Sequence, residues 1–217
     1  KEHVLDLVEV SKSETGEVTF DAKIWSMRDQ GRPFYHYSQR VTLVSKPVEI
    51  PVEALPTIEH PVDIPGQSLY QNGALFHGRS FQGVQRVQHI GRDRLVMQVS
   101  LPRLDEETQG QFPVQTANPY IYDAIVQCLL IWSQAFYQAP CLPSRSDGFV
   151  QYRPIPFDET VHVSMNVVAQ SETSVVGDIT VQDSQGKVCI RIKGLEGTIS
   201  SQLKQLIGVR TGIQVAD

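Results

Sequence analysis

Asp123 and Gln127 stand four residues apart in Asn118-Pro119-Tyr120-Ile121-Tyr122-Asp123-Ala124-Ile125-Val126-Gln127, which opens a long apolar segment. A helix there sets a carboxyl and an amide one turn apart on one face. Burying an ionisable group without a partner is costly, so such a carboxyl serves proton chemistry or is met by a specific neighbour. The other candidates for chemistry are weaker. His77, alone between Phe76 and Gly78, reads as a hydrogen-bonded wall rather than a base. Cys128 and Cys189 have no activating base nearby in sequence and read as core thiols, and Trp25 and Trp132 read as packing residues.

The element that must position Asp123 is well marked. Asn118 suits a helix N-cap, and Pro119 suits the first turn, where its missing N–H is not needed and its φ is already helical. Pro140 and Pro143 are expected to close the helix. At 100° per residue Asp123, Gln127, Leu130 and Gln134 fall within about 60° of one another. This polar stripe either faces solvent or walls a cavity, and Leu130 together with the apolar flanks favours the cavity. A helix apolar on nearly every side must be covered all round, which an antiparallel sheet wrapped about it achieves.

Alternating patterns supply such a sheet. Strands are expected near 4–10, 17–27 and 34–45, with turns at Ser13-Glu14-Thr15-Gly16 and Asp29-Gln30-Gly31-Arg32. Three strands with no helix leave an apolar face that something else must cover. Pro47, Pro51, Pro56, Pro61 and Pro65, interspersed with acidic residues, read as an extended connector that packs along a surface. Beyond it, strands are expected near 83–90, 94–101, 148–153, 160–169, 173–182 and 187–193, the last two joined by a hairpin at Asp183-Ser184-Gln185-Gly186.

The 217 residues, 41% hydrophobic and 20% charged, suit one large core or two small ones. A net charge of -5 with only short basic stretches argues against a nucleic-acid surface. Ala124–Trp132, the most apolar stretch, is interrupted by Gln127 and too short for a membrane span. Three cysteines without CxxC or Cys/His ligand spacing support neither a disulfide framework nor a zinc site, and fit a reducing cytoplasm. A first residue that is Lys1 rather than Met suggests a piece of a longer polypeptide.

Residues 70–84, Tyr70-Gln71-Asn72-Gly73-Ala74-Leu75-Phe76-His77-Gly78-Arg79-Ser80-Phe81-Gln82-Gly83-Val84, resemble the glycine-aromatic motif that begins the second half of dehydratase domains in polyketide and polyunsaturated fatty acid synthases. In that family the second helix starts with His-Pro and carries Asp, then Gln or His four residues later; Asn118, Pro119, Asp123 and Gln127 match these positions. Together with Tyr152-Arg153-Pro154-Ile155-Pro156 and the final hairpin, the resemblance covers residues 68–200. It implies an α+β double hot-dog: residues 1–46 as strands of a partial first hot-dog, 47–67 as linker, 68–205 as the second hot-dog and 206–217 as a tail.

The resemblance implies elimination of water from a 3-hydroxyacyl thioester, a reaction needing one group to take the α-proton and another to protonate the departing hydroxyl. Histidine is the base in that family, Asp123 would be the acid, and Gln127 would hold the carboxyl or the hydroxyl. His77, Gly78 and Phe81 would line the substrate tunnel. No cofactor or metal is implied; the substrate would ride on the phosphopantetheine of an acyl carrier protein, with neighbouring synthase domains and a second copy as further partners. Three departures stand out. The family's His-x-x-x-Gly-x-x-x-x-Pro motif is met by none of His3, His36, His60, His77, His89 and His162, Arg79 replaces a proline, and Asn118 replaces a histidine. Half of the family's catalytic pair is then expected before Lys1, in an intact parent domain that acts as a hydro-lyase. The alternatives are an inactive dehydratase-like domain that scaffolds, dimerises or holds an acyl chain, and a product-template domain that guides ring closure.

Overall fold

A computed structural model describes residues 2–28, 31–46, 48–58, 60–110, 113–207 and 213. The chain forms two compact units, Lys1–Glu49 and Ile50–Asp217.

The first unit is an antiparallel sheet of β1 (Val4–Lys12), β2 (Val18–Met27) and β3 (Pro33–Leu43), in that order. Gly16, at φ 88°, closes the first turn, where its N–H donates to the Ser13 carbonyl. Of the second expected turn, Asp29 and Gln30 lie outside the described residues, and Gly31 N–H donates to the Arg28 carbonyl. Leu5, Ile24 and Tyr37 sit opposite one another across the three strands and are all exposed, an uncovered apolar row of the kind expected.

The second unit holds β4 (Ile64–Pro65), α1 (Gly66–Gln71), β5 (Val84–Ile90), β6 (Arg94–Val99), α2 (Glu106–Gln109), α3 (Pro119–Tyr137), β7 (Cys141–Arg145), β8 (Gly148–Gln151), β9 (Val161–Gln170), β10 (Ser174–Gln182), β11 (Val188–Ile199) and α4 (Leu203–Ile207). All strand pairs are antiparallel, in the order β4-β5-β6-β9-β10-β11-β7, with β8 also paired to β11. The sheet wraps α3, whose Ile121, Ala124, Ile125, Cys128, Leu129, Ile131 and Trp132 are fully or almost fully buried against Leu95, Met97, Val163, Met165, Ile179 and Ile190. This is the architecture expected of an apolar helix that must be covered on every side.

Asn118 caps α3 as expected: its Oδ1 accepts from Ile121 N–H at 3.3 Å, and its Nδ2 donates to the Ile155 carbonyl at 3.3 Å. Asn118→Ala loses both bonds in a buried setting and is expected to cost about 1–2 kcal/mol, to be read from a urea unfolding curve. Asn118→Ser should recover the cap and leave the Ile155 carbonyl unmet.

The end of α3 differs from expectation. Gln138, in the left-handed region at φ 53°, terminates it, and Pro143 lies within β7. Among the described residues that strand pairs only with β11, so the missing proline N–H falls on a sheet edge. From Pro51 on, the Pro-rich segment is part of the second unit and packs along its surface, as expected. Glu53 N–H donates to the Gly186 carbonyl, Val188 N–H donates to the Pro51 carbonyl, and Arg94 Nη1 donates to the Thr57 carbonyl. At the final hairpin Asp183 Oδ1 accepts from the N–H groups of Gln185 and Lys187, and Gly186 adopts φ 79°. Of the expected tail, residues 208–212 and 214–217 lie outside the described residues. No helix among the described residues is long and apolar enough to cross a membrane.

Candidate active site

The polar stripe of α3 turns inward. Gln127 and Gln134 are buried, and each reaches residues 70–84 on the far side of a cleft. Gln127 Oε1 accepts from the Tyr70 hydroxyl at 2.8 Å, while its Nε2 donates to the Phe81 carbonyl at 2.9 Å and to Asp123 Oδ2 at 3.0 Å. Gln134 Nε2 donates to the Ala74 carbonyl. Tyr70, carried on α1, also accepts from Val84 N–H at 3.0 Å, and burial pushes its phenol above the ordinary tyrosine range. One amide thus ties the long helix to the glycine-aromatic segment.

Between these two elements lies a pocket of about 330 Å³ lined by Asp123, Gln127, His77, Gly78 and Phe81, with Val126, Leu130, Cys141 and Leu142 among its other walls. All five residues singled out from the sequence therefore meet at one place. His77 differs from its expected bonding as a wall residue: Nε2 faces Asp123 Oδ2 at 3.6 Å, whereas Nδ1 is buried with no hydrogen-bond partner among the described residues. Its ring stacks on Phe76 with centroids 4.2 Å apart, and its carbonyl accepts from Gln82 Nε2 at 2.9 Å. Burial lowers the His77 pKa against the opposing pull of the Asp123 charge. Arg79, where the resembling family has proline, opens a short 3-10 turn with Ser80 and Phe81.

Several residues in or behind the pocket were not singled out by sequence. Tyr70 precedes the glycine-aromatic core by three residues, and its aromatic hydroxyl was the available signal. Cys141, Leu142 and Pro143 enter because β7 begins just past α3, where proline had suggested only an ending. Burial raises the Cys141 thiol to about 12 and the Cys189 thiol to about 11, so neither is a ready nucleophile. Cys128 is also buried, with its pKa raised by desolvation. The arrangement supplies one carboxyl, one imidazole and one fixed amide in an otherwise apolar pocket, a setting suited to moving protons on a bound organic chain.

Comparisons with known proteins bear on the family and the fold. A family model described as "Polyketide synthase dehydratase N-terminal domain" matches residues 51–206. A polyunsaturated fatty acid synthase polypeptide of Thraustochytrium sp. is 25% identical over 100 residues, which are 45% of this chain and 4% of that protein. The chain therefore corresponds to a small part of the length of that curated relative. Among solved structures, the dehydratase domain from the CurJ module of curacin polyketide synthase aligns with a TM-score of 0.67 at 17% identity, covering 91% of this chain and 68% of that one. A trans-AT PKS dehydratase domain from Brevibacillus brevis aligns with a TM-score of 0.66 at 20% identity, covering 90% and 70%. The fold is the α+β hot-dog, an antiparallel sheet wrapped about one long apolar helix.

Proposed function

Because the chain belongs to the polyketide synthase dehydratase family, we propose that its second unit works in the elimination of water from a 3-hydroxyacyl chain held as a thioester on an acyl carrier protein. In this reaction a base takes the α-proton, its C–H electron pair forms the new double bond, and the C–O bond breaks as a carboxylic acid protonates the departing hydroxyl. Asp123 is the acid, and Gln127 fixes its carboxyl.

Support comes above all from one observation: Asp123 and Gln127, joined at 3.0 Å, share a pocket whose other walls are largely apolar. An apolar wall excludes water and strengthens each polar contact made inside it. His77, Gly78 and Phe81 are assigned to the wall of the same tunnel. On the family resemblance, residues 68–205 are read as the second hot-dog, residues 47–67 as the linker, and 1–46 as strands of the first. The acyl carrier protein, neighbouring synthase domains and a second copy are the proposed partners, in the cytoplasm.

A second role is favoured by the lack of any His-x-x-x-Gly-x-x-x-x-Pro among the 217 residues: a dehydratase-like unit that holds an acyl chain or joins neighbours without turning it over. Both roles are tested by offering a 3-hydroxyacyl pantetheine thioester to this chain and to its parent polypeptide, and following the enoyl thioester by mass spectrometry. Water loss by the parent supports the elimination. A folded parent that binds the thioester without consuming it leaves only the holding role.

A further inference from the structure

Asp123 presents two unlike oxygens. Oδ2 accepts from Gln127 Nε2 at 3.0 Å and faces His77 Nε2 at 3.6 Å, while Oδ1 has no hydrogen-bond partner among the described residues. The Asp123 side chain is 36% exposed and that of His77 is 12% exposed, so the imidazole is the deeper of the two. His77 is therefore behind the carboxyl as much as beside it.

The imidazole has a preferred proton position. A hydrogen on Nδ1 would be a buried N–H with no acceptor, a rare and costly arrangement, whereas a bare Nδ1 lone pair is the lesser penalty. The proton belongs on Nε2, directed at Asp123. An imidazolium would need hydrogens on both nitrogens and is disfavoured on the same ground, in keeping with the lowering of His77 by burial. No lysine or arginine lines the pocket. The groups with titratable protons that face the pair are Cys141 on β7, which lines the same pocket, and Tyr70 on α1, which bonds Gln127 from behind; burial keeps both protonated.

We propose that His77 is a positioning residue for Asp123: as a neutral imidazole protonated at Nε2 it joins Gln127 in donating to Oδ2, so that the transferable proton of the carboxyl resides on Oδ1, the oxygen open to substrate. An oxygen that accepts two N–H donors is the carbonyl-like oxygen of a carboxylic acid, and the O–H is then left on its partner. The 3.6 Å approach closes to a hydrogen bond when a substrate fills the pocket, as unliganded sites commonly hold such contacts long. The stack on Phe76 restrains the ring, and the Gln82 bond to the His77 carbonyl holds its backbone. His77 is thus neither a second base nor a passive wall. Its effect on turnover rests on Asp123 being the acid proposed above, whereas its tautomer does not.

Two measurements on the 217-residue chain and its parent separate these dependences. Long-range 15N–1H spectra of the chain, with the His77 signals assigned by their loss in His77→Phe, should show the neutral Nε2-protonated form at pH 7; an Nδ1-protonated ring or an imidazolium overturns the proposal whether or not the protein is an enzyme. In the parent polypeptide, His77→Phe retains the stacking ring and removes the donor, and is expected to lower kcat about tenfold or more with KM little changed. His77→Gln, which restores an N–H, should recover much of that loss. Unchanged kcat in a folded His77→Phe overturns the positioning role. If wild type shows no turnover, the dehydratase reading falls by itself and the 15N tautomer decides the His77–Asp123 contact.

Discussion

Asp123→Asn is expected to reduce kcat for a 3-hydroxyacyl thioester by about 10²–10⁴-fold, the range for a general acid or base lost from a positioned site. Asparagine preserves the size and planarity of the side chain, and its amide oxygen still accepts from Gln127 Nε2, so the hydrogen bond now measured at 3.0 Å has a counterpart in the variant. The transferable proton does not. The melting temperature should therefore stay close to that of wild type, and KM should change far less than kcat, because the walls contributed by Phe81, Val126, Leu130 and Leu142 are untouched. Steady-state kinetics of the parent polypeptide, together with a thermal melt, checks both parts. A variant that retains full turnover removes Asp123 from the chemistry.

The largest structural effect is expected at Trp132. Its side chain is fully buried within α3, packs against Phe136 and Tyr137 with ring centroids 5.1 and 5.7 Å away, and donates from Nε1 to the Gly91 carbonyl at 2.9 Å. Trp132→Ala empties a volume that the wrapped sheet cannot collapse into, at a cost of about 3–5 kcal/mol. The Gly91 carbonyl, left without its donor, adds about 1–3 kcal/mol if water does not reach it. Guanidinium unfolding followed by circular dichroism should show the midpoint falling sharply, and Trp132→Phe, which keeps most of the volume and loses only the N–H, should fall much less. Equal losses in the two variants would place the energy in the hydrogen bond rather than the packing.

How far the sequence reveals this molecule depends on the range of the forces involved. The start of α3 is legible because an N-cap and a first-turn proline act within one turn, and Asn118 and Pro119 do in the fold what their chemistry suggests. The end is not: Gln138 takes a left-handed conformation although it is not glycine, and Pro143 joins an edge strand because β11 offers it a partner far away in sequence, Gly197. α1 escapes detection for a similar reason. It is six residues long with no side-chain cap, and it starts at Gly66, where a Cβ would collide with the Val84 carbonyl oxygen. Only the folded sheet makes glycine necessary there.

The site divides in the same way. Spacing within one helix places Asp123 beside Gln127, and the inward turn of the polar stripe follows from Leu130 and its apolar flanks. The approach of His77 to Asp123 joins elements 46 residues apart, and nothing local to either residue reports it. Tyr70 lies further still from its partner, 57 residues before Gln127, yet it is the donor that holds the amide oxygen.

That fixed amide bears on how such sequences can vary. Gln127 uses its oxygen on Tyr70 and its two amide hydrogens on Phe81 and Asp123. A neutral histidine at the same place has one donor and one acceptor, so it can keep Tyr70 and only one of the other two partners. Replacement of Gln127 by histidine is then expected to travel with a compensating change in the loop around Phe81. The two segments, far apart in the chain, should show up across related sequences as a correlated pair of positions.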